Sequence, residues 1–233
     1  MKKIILCGFN WSGCRALDLL IKRNYEVYVY THKSPWHIND LIDFCKYKNV
    51  KFSTEKISIE NLPFNPDIII SVFYRYIISE EVINKVNKKI FNLHPSLLPK
   101  YRGCSSTTWA IINGESHSGF TYHYIEKGVD EGNIIIQKKE EIYEFDTQET
   151  LYTRLMYKGL DYFYEALDLV IKGDKGKRQK GQSIYYPRGC PHNGEINKKW
   201  DLEMKKRFIR AMTYPPYKPA TLDQKNIFSI DNL

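Results

Sequence analysis

The most chemically suggestive residues of this 233-residue chain are Asn92 and His94, two polar side chains that close a short apolar run from Ile90 to Leu93. Alternation along a strand would put both on one face. Pro95 and Pro99 follow at once and stop the strand from continuing, leaving the two side chains at its carboxyl end. An asparagine amide is a fixed donor, and an imidazole takes up and returns a proton near neutral pH. Together they suit acyl transfer, which needs one group for a developing oxyanion and another for a moving proton. Taken alone, such a pair more often does no more than satisfy the backbone of a loop. His117 and His123 belong to no recognisable ligand set, so no metal site is expected. Gly8-Phe9-Asn10-Trp11-Ser12-Gly13 lacks the spacing of a dinucleotide loop, and no Lys-Ser/Thr follows its second glycine. Steric need at a strand-to-helix turn accounts for those glycines better than a bound phosphate would.

The elements that would position these residues alternate. Strands are expected at Ile4–Phe9, Val27–Tyr30, Asp67–Phe73 and Ile90–Leu93, and helices at Ser12–Lys22 and Ser79–Val86, the latter capped by its serine. The alternation predicts a doubly wound α/β fold with a mostly parallel sheet, whose ligands sit at the carboxyl ends of strands. Further on, the pattern predicts a helix over Ser105–Asn113 and strands over Phe120–Ile125 and Asn133–Ile142. Asp146-Thr147-Gln148-Glu149 reads as a capping box opening one long helix. The apolar stripe of that helix is Leu151, Leu155, Leu160, Phe163, Leu167 and Val170, and Gly173 ends it. Residues 172–180, rich in glycine and lysine, read as a solvated loop, and the last fifty-odd residues as an appendage.

Composition narrows the class. With 42% hydrophobic and 27% charged residues the chain is a globular protein, and its longest apolar runs are far too short to cross a bilayer. The charged start before Ile4 lacks a signal-peptide core, so a cytoplasmic location without membrane attachment is expected. Five scattered cysteines with no Cys-x-x-Cys spacing fit reduced thiols. The net charge of +8 is dispersed rather than blocked, which speaks for solubility or attraction of a small anion and against a nucleic-acid partner.

The whole string Phe91-Asn92-Leu93-His94-Pro95-Ser96-Leu97-Leu98-Pro99 closely resembles the Asn-x-His-Pro-Ser-Leu-Leu-Pro signature of the folate-dependent formyltransferases. The likeness is strong over roughly residues 1–180, looser beyond, and implies a Rossmann-like formyltransferase fold. The third catalytic group of that family is an aspartate in a glycine-flanked turn, which Gly128-Val129-Asp130-Glu131-Gly132 supplies here. The resemblance therefore implies Asn92, His94 and Asp130 as the catalytic set. It also implies N10-formyltetrahydrofolate as co-substrate, bound beside Phe73, Tyr74 and Arg75 and near Leu98 and Gly132, with no metal. Many relatives carry a glycine near Arg75, so the pocket is expected to differ locally. Lys100, Arg102 and Gly103 would face the acceptor.

The segment from Tyr186 to Ile196, then Trp200, then Arg210 to Tyr217, is similar to the tail of enzymes that formylate nucleotide-linked amino sugars. The expected acceptor is dTDP-4-amino-4,6-dideoxyglucose, made for surface polysaccharide such as O-antigen. Glycinamide ribonucleotide is the alternative, although its transformylase usually has a Gly-x-Gly-Ser-Asn-Leu first loop. Residues 1–180 are expected to form the catalytic domain and 181–233 an extension packed on it, with a homodimer allowed for.

Overall fold

The computed structural model describes residues 1–35, 38 and 40–232. In chain order the elements are β1 (Lys3–Gly8), α1 (Asn10–Lys22), β2 (Glu26–Tyr30), α2 (Leu41–Tyr47), β3 (Phe52–Ser53), β4 (Ile68–Val72), α3 (Glu80–Lys85) and β5 (Ile90–His94). Next come β6 (Arg102–Gly103), α4 (Ser106–Ile112), β7 (His117–Tyr124), β8 (Ile134–Glu141), α5 (Gln148–Asp161) and α6 (Phe163–Lys172). The tail holds β9 (Tyr185–Tyr186), α7 (Leu202–Ala211), β10 (Ala220–Leu222) and β11 (Lys225–Ile227).

Seven strands form one sheet in the order β3-β2-β1-β4-β5-β7-β8. The first five are parallel and β7 joins β5 antiparallel. This is the doubly wound, mostly parallel architecture expected from the alternation of strand and helix. β1 and β4 are apolar on both faces because the sheet is covered on both, so Ile4, Ile5, Leu6, Ile68, Ile69 and Ile70 are all buried. α1 lays Ala16, Leu17 and Leu20 inward, and at its start the Asn10 carboxamide oxygen accepts from the Ser12 N–H (2.8 Å) and hydroxyl (2.7 Å). α2 and β3 were not foreseen from the sequence.

By internal contacts the chain divides into two compact units. The first is Met1–His94, Thr121–Gln137 and Tyr157–Gln179. Its core under one sheet face is Ile5, Cys7, Tyr30, Ile57, Ile69, Val82, Val86 and Ile90. The second is Pro95–Phe120, Lys138–Met156 and the chain from Lys180 onward. Its core gathers Ile111, Ile112, Leu151, Leu155, Phe208, Ile209, Ala220 and Ile227. Within this second unit the tail aromatics stack in series. Tyr186 lies flat against Trp109 (4.5 Å between centroids), and His192 bridges Trp109 to Trp200 and Phe208.

Four expectations need correction. The single long helix is two, α5 and α6, broken at Tyr162, although all six residues of its predicted stripe are buried and Gly173 does cap α6 in the left-handed conformation. The capping box begins one residue later than predicted: Thr147 and Thr150 exchange side-chain-to-backbone bonds of 2.9 and 3.3 Å, because Asp146 is wholly buried and engaged elsewhere. Ser79 precedes α3 but its hydroxyl makes no cap bond. Finally, residues 174–179 are not a free loop, since Lys177 pairs with Ile134 through two backbone bonds of 2.7 and 2.8 Å.

Candidate active site

The register of β5 against β7 builds the site. Asn92 stands opposite His123, and His94 opposite Thr121. Residues directly opposite in an antiparallel pair share a face, so alternation on both strands collects Asn92, His94, Thr121 and His123 on one side of the sheet. The loop between β7 and β8 then returns over that side and delivers Asp130, all within the first unit.

The result is one carboxylate between two imidazoles. Asp130 Oδ2 lies 3.6 Å from His94 Nδ1, and Oδ1 lies 3.4 Å from His123 Nε2. The side chains of His94 and His123 are 7% and 1% exposed, and that of Asp130 15%, so the three meet with little water between them. Asn92 Nδ2 sits 3.2 Å from the same His123 Nε2. His123 Nδ1 lies 2.8 Å from the Tyr124 carbonyl oxygen, which can only accept, so Nδ1 carries a hydrogen and Nε2 is left facing Asn92 and Asp130. With Nε2 bare, His123 accepts from Asn92; with Nε2 protonated, it donates towards Asp130. The arrangement offers an amide donor beside groups able to exchange a proton.

Asp130 reaches this position through backbone restraint. Its φ of 54° is left-handed, a conformation tolerated by aspartate at modest cost. At Gly132 a Cβ would fall 1.9 Å from the Tyr124 carbonyl oxygen, so only glycine lets the loop press against β7 there. That same carbonyl receives His123 Nδ1.

Sequence reasoning singled out Asn92, His94 and Asp130, and these three are brought together. It passed over His123, which completes the cluster. The available signal was the Thr121-x-His123 alternation in β7, but only the strand register gives that alternation meaning.

The other nominated residues lie as follows. Phe73, Tyr74 and Arg75 follow β4 at its carboxyl end, with Phe73 at a left-handed φ of 60°, 45% exposed and stacked near Phe9 (6.0 Å). Tyr74 is turned inward, its hydroxyl accepting from the Ile57 N–H (3.1 Å), and burial pushes its phenol well up. The Arg75 guanidinium lies 5.4 Å from the Tyr76 ring. Leu98, Lys100, Arg102 and Gly103 belong to the second unit. There Leu98 is buried, and Lys100 Nζ bonds Glu115 (3.0 Å). Glu115 also accepts from the Tyr101 hydroxyl (2.8 Å), and burial, outweighed by these partners, leaves its carboxyl below the usual range. Arg102 and Gly103 pair with Tyr185 and Tyr186, and a Cβ on Gly103 would meet the Tyr186 carbonyl at 2.2 Å.

A mostly parallel α/β sheet that brings together an amide and an imidazole on β5, a second imidazole on β7 and a carboxylate from the following loop suits group transfer accompanied by proton movement. Residues 15–167 match the family model described as formyl transferase, and the chain belongs to that family. It is 34% identical to a GDP-perosamine N-formyltransferase of Brucella melitensis, over 94% of this chain and 88% of that one. Its fold matches WlaRD, a sugar 3N-formyl transferase solved with dTDP and 5-N-formyl-THF, at 27% identity and a TM-score of 0.84, covering 98% of this chain and 85% of that one. An N-formyltransferase from Helicobacter canadensis, solved with folinic acid and dTDP-3-aminofucose, matches at 26% identity and a TM-score of 0.84, over 98% and 87%.

Proposed function

We propose that this chain transfers a formyl group from N10-formyltetrahydrofolate to the amine of a nucleotide-linked amino sugar. The observation that carries this is the cluster at the end of β5, where Asp130 lies between His94 and His123 with Asn92 on the same imidazole nitrogen. Family membership supplies the class of reaction, and the relatives named for amino sugars support the acceptor.

The co-substrate supplies an activated formyl carbon. Asn92, with one N–H left after its contact to His123, and His94 donate to the formyl oxygen as negative charge grows there. Asp130 and His94 carry the proton that must leave the attacking amine to N10 of the co-substrate, so that the bond from N10 to the formyl carbon breaks and tetrahydrofolate departs as the new amide forms. His123 holds the amide of Asn92 and lies against Asp130. Phe73, Tyr74, Arg75, Leu98 and Gly132 are assigned to the folate, which the exposed aromatic ring and left-handed backbone at Phe73 suit. Lys100, Arg102 and Gly103 are assigned to the acceptor. Residues 1–180 are assigned the reaction and 181–233 the role of an extension, in a cytoplasmic enzyme that a homodimer would suit.

For the particular acceptor we favour dTDP-4-amino-4,6-dideoxyglucose, destined for surface polysaccharide such as O-antigen. GDP-perosamine is the second reading, favoured by the 34% identical relative. Glycinamide ribonucleotide is disfavoured because the similar proteins are named for sugars. Incubation with N10-formyltetrahydrofolate and each of these three, plus dTDP-3-aminofucose, followed by mass spectrometry for a gain of one formyl group, tests the assignment. Formylation of glycinamide ribonucleotide alone would sink it, and formylation of GDP-perosamine alone would replace the dTDP sugar.

A further inference from the structure

Among the exposed basic residues Lys177, Arg178 and Lys180, Gln179 is half-buried, turned towards the first unit's site loop. Its Nε2 donates to two carbonyl oxygens at once, those of Asp130 and Gly132, both at 2.8 Å. A primary amide has two N–H bonds on one nitrogen, so a single side chain closes both contacts and clamps the peptide on either side of Glu131. The segment leading to it is itself tied down. The Tyr124 hydroxyl donates to the Asp174 carbonyl, Asn133 Nδ2 donates to the Lys175 carbonyl (2.9 Å), and Lys177 pairs with Ile134. Tyr124 ends β7 and Ile134 begins β8, the two strands that flank the loop, so residues 174–179 run as a strap along its base.

We propose that Gln179 is a positioning residue for the transfer reaction: it fixes the left-handed turn at Asp130 so that the carboxylate is presented between His94 and His123. A left-handed aspartate relaxes towards right-handed or extended backbone unless something over-determines it. Gly132 permits the close approach to β7 but donates no hydrogen bond to the turn's carbonyls; Gln179 does. Its action is wholly through Asp130, and it touches neither imidazole. This inference rests on the catalytic role proposed for Asp130.

The test is a double-mutant cycle on the full chain, assayed with N10-formyltetrahydrofolate and whichever sugar of the panel turns over fastest. Gln179→Met keeps the side chain's length and deletes both N–H donors. The expected result is a kcat about tenfold lower with both KM values within about twofold of wild type, since the carboxylate is misplaced and the binding groups are not. In the Asp130→Asn background the same substitution should cost less than about twofold, because residues acting through one group are not additive. Gln179→Glu, which replaces the donors by acceptors at the same length, is read in parallel and should cost at least as much. A wild-type kcat for both Gln179 variants while Asp130→Asn is inactive would overturn the inference and leave the catalytic reading standing. Equal losses in the two backgrounds, with a matching fall in melting temperature, would mark Gln179 as a structural residue only. Wild-type turnover by Asp130→Asn would overturn both.

Discussion

Asp130 and Asp146 are sixteen positions apart, both largely shielded from water, and they are held in opposite ways. In the second unit Asp146 is saturated. Arg154 grips it with both terminal nitrogens (2.7 and 2.6 Å), the Tyr143 N–H donates at 2.8 Å and the Thr150 hydroxyl at 3.0 Å. Burial alone would raise its carboxyl, but the Arg154 fork and these donors outweigh it and hold the group below the usual carboxylate range. Asp130 in the first unit faces its imidazoles at 3.4 and 3.6 Å, longer than any of these contacts, and its backbone carbonyl is held by Gln179. A carboxylate whose side chain is saturated is committed to stability. One set by its main chain between two imidazoles is placed for proton movement. Catalytic contacts that are long before substrate arrives are what such a site leads one to expect.

The sharpest way to break this contrast is to neutralise each carboxylate in turn. Asp130→Asn, or His94→Ala, should lower kcat by roughly two to four decades, the range for a lost acid-base group, while the unfolding midpoint in urea stays put. Asn92→Ala should cost about two to three decades, as for a lost oxyanion donor. Asp146→Asn should do the reverse, removing about 3 kcal/mol of stability by leaving the Arg154 guanidinium without its buried counter-charge, with kcat near wild type at a temperature where the variant is folded. A large kcat loss in Asp146→Asn with unchanged stability would erase the distinction.

The two aspartates were not equally legible. Asp130 was found because its glycine-flanked turn accompanies the Asn-x-His-Pro string in the formyltransferase family that the chain resembles. Asp146 was misassigned as a helix cap because a Ser/Thr/Asp residue three places before an acidic one signals a cap locally, whereas its actual partners, Arg154 and Tyr143, come from outside that pattern. The same physics separates the successes from the failures elsewhere. Strands β1, β4 and β5 were legible as short buried apolar runs, and the stripe through α5 and α6 as helical periodicity, because each signal is contained in its own segment. His123 was not legible as part of the site, since nothing local pairs it with Asn92. Gln179 lay in a stretch whose composition says only that it is polar. Site residues that depend on register or on a long return of the chain leave no mark in the composition around them.

Smaller effects sharpen the comparison further, beginning with pH. Because Asp146 has a depressed carboxyl in the folded state, its contribution is present in full above the ordinary value of about 3.9 and is lost as pH falls through the lower folded value. Urea titrations of wild type from about pH 6 down to 3 should therefore show stability falling in the acid range, and Asp146→Asn should flatten that fall. Equal slopes would mean that the Arg154 contact contributes nothing of the kind.

The smallest predicted effect separates two capping boxes that overlap by one residue. If Asp146 and Glu149 capped α5, Glu149→Ala would cost about 1 kcal/mol. In the structure it is Thr147 and Thr150 that exchange bonds, and Thr150 also donates to Asp146. Thr147→Ala should then cost about 1 kcal/mol and Glu149→Ala no more than about 0.5 kcal/mol, both read from urea midpoints at neutral pH. Neither should change kcat, because both lie in the unit whose carboxylate is given over to stability. If Glu149→Ala proves the costlier of the two, the cap belongs one residue earlier, and Asp146 would have to divide its oxygens between the helix start and Arg154.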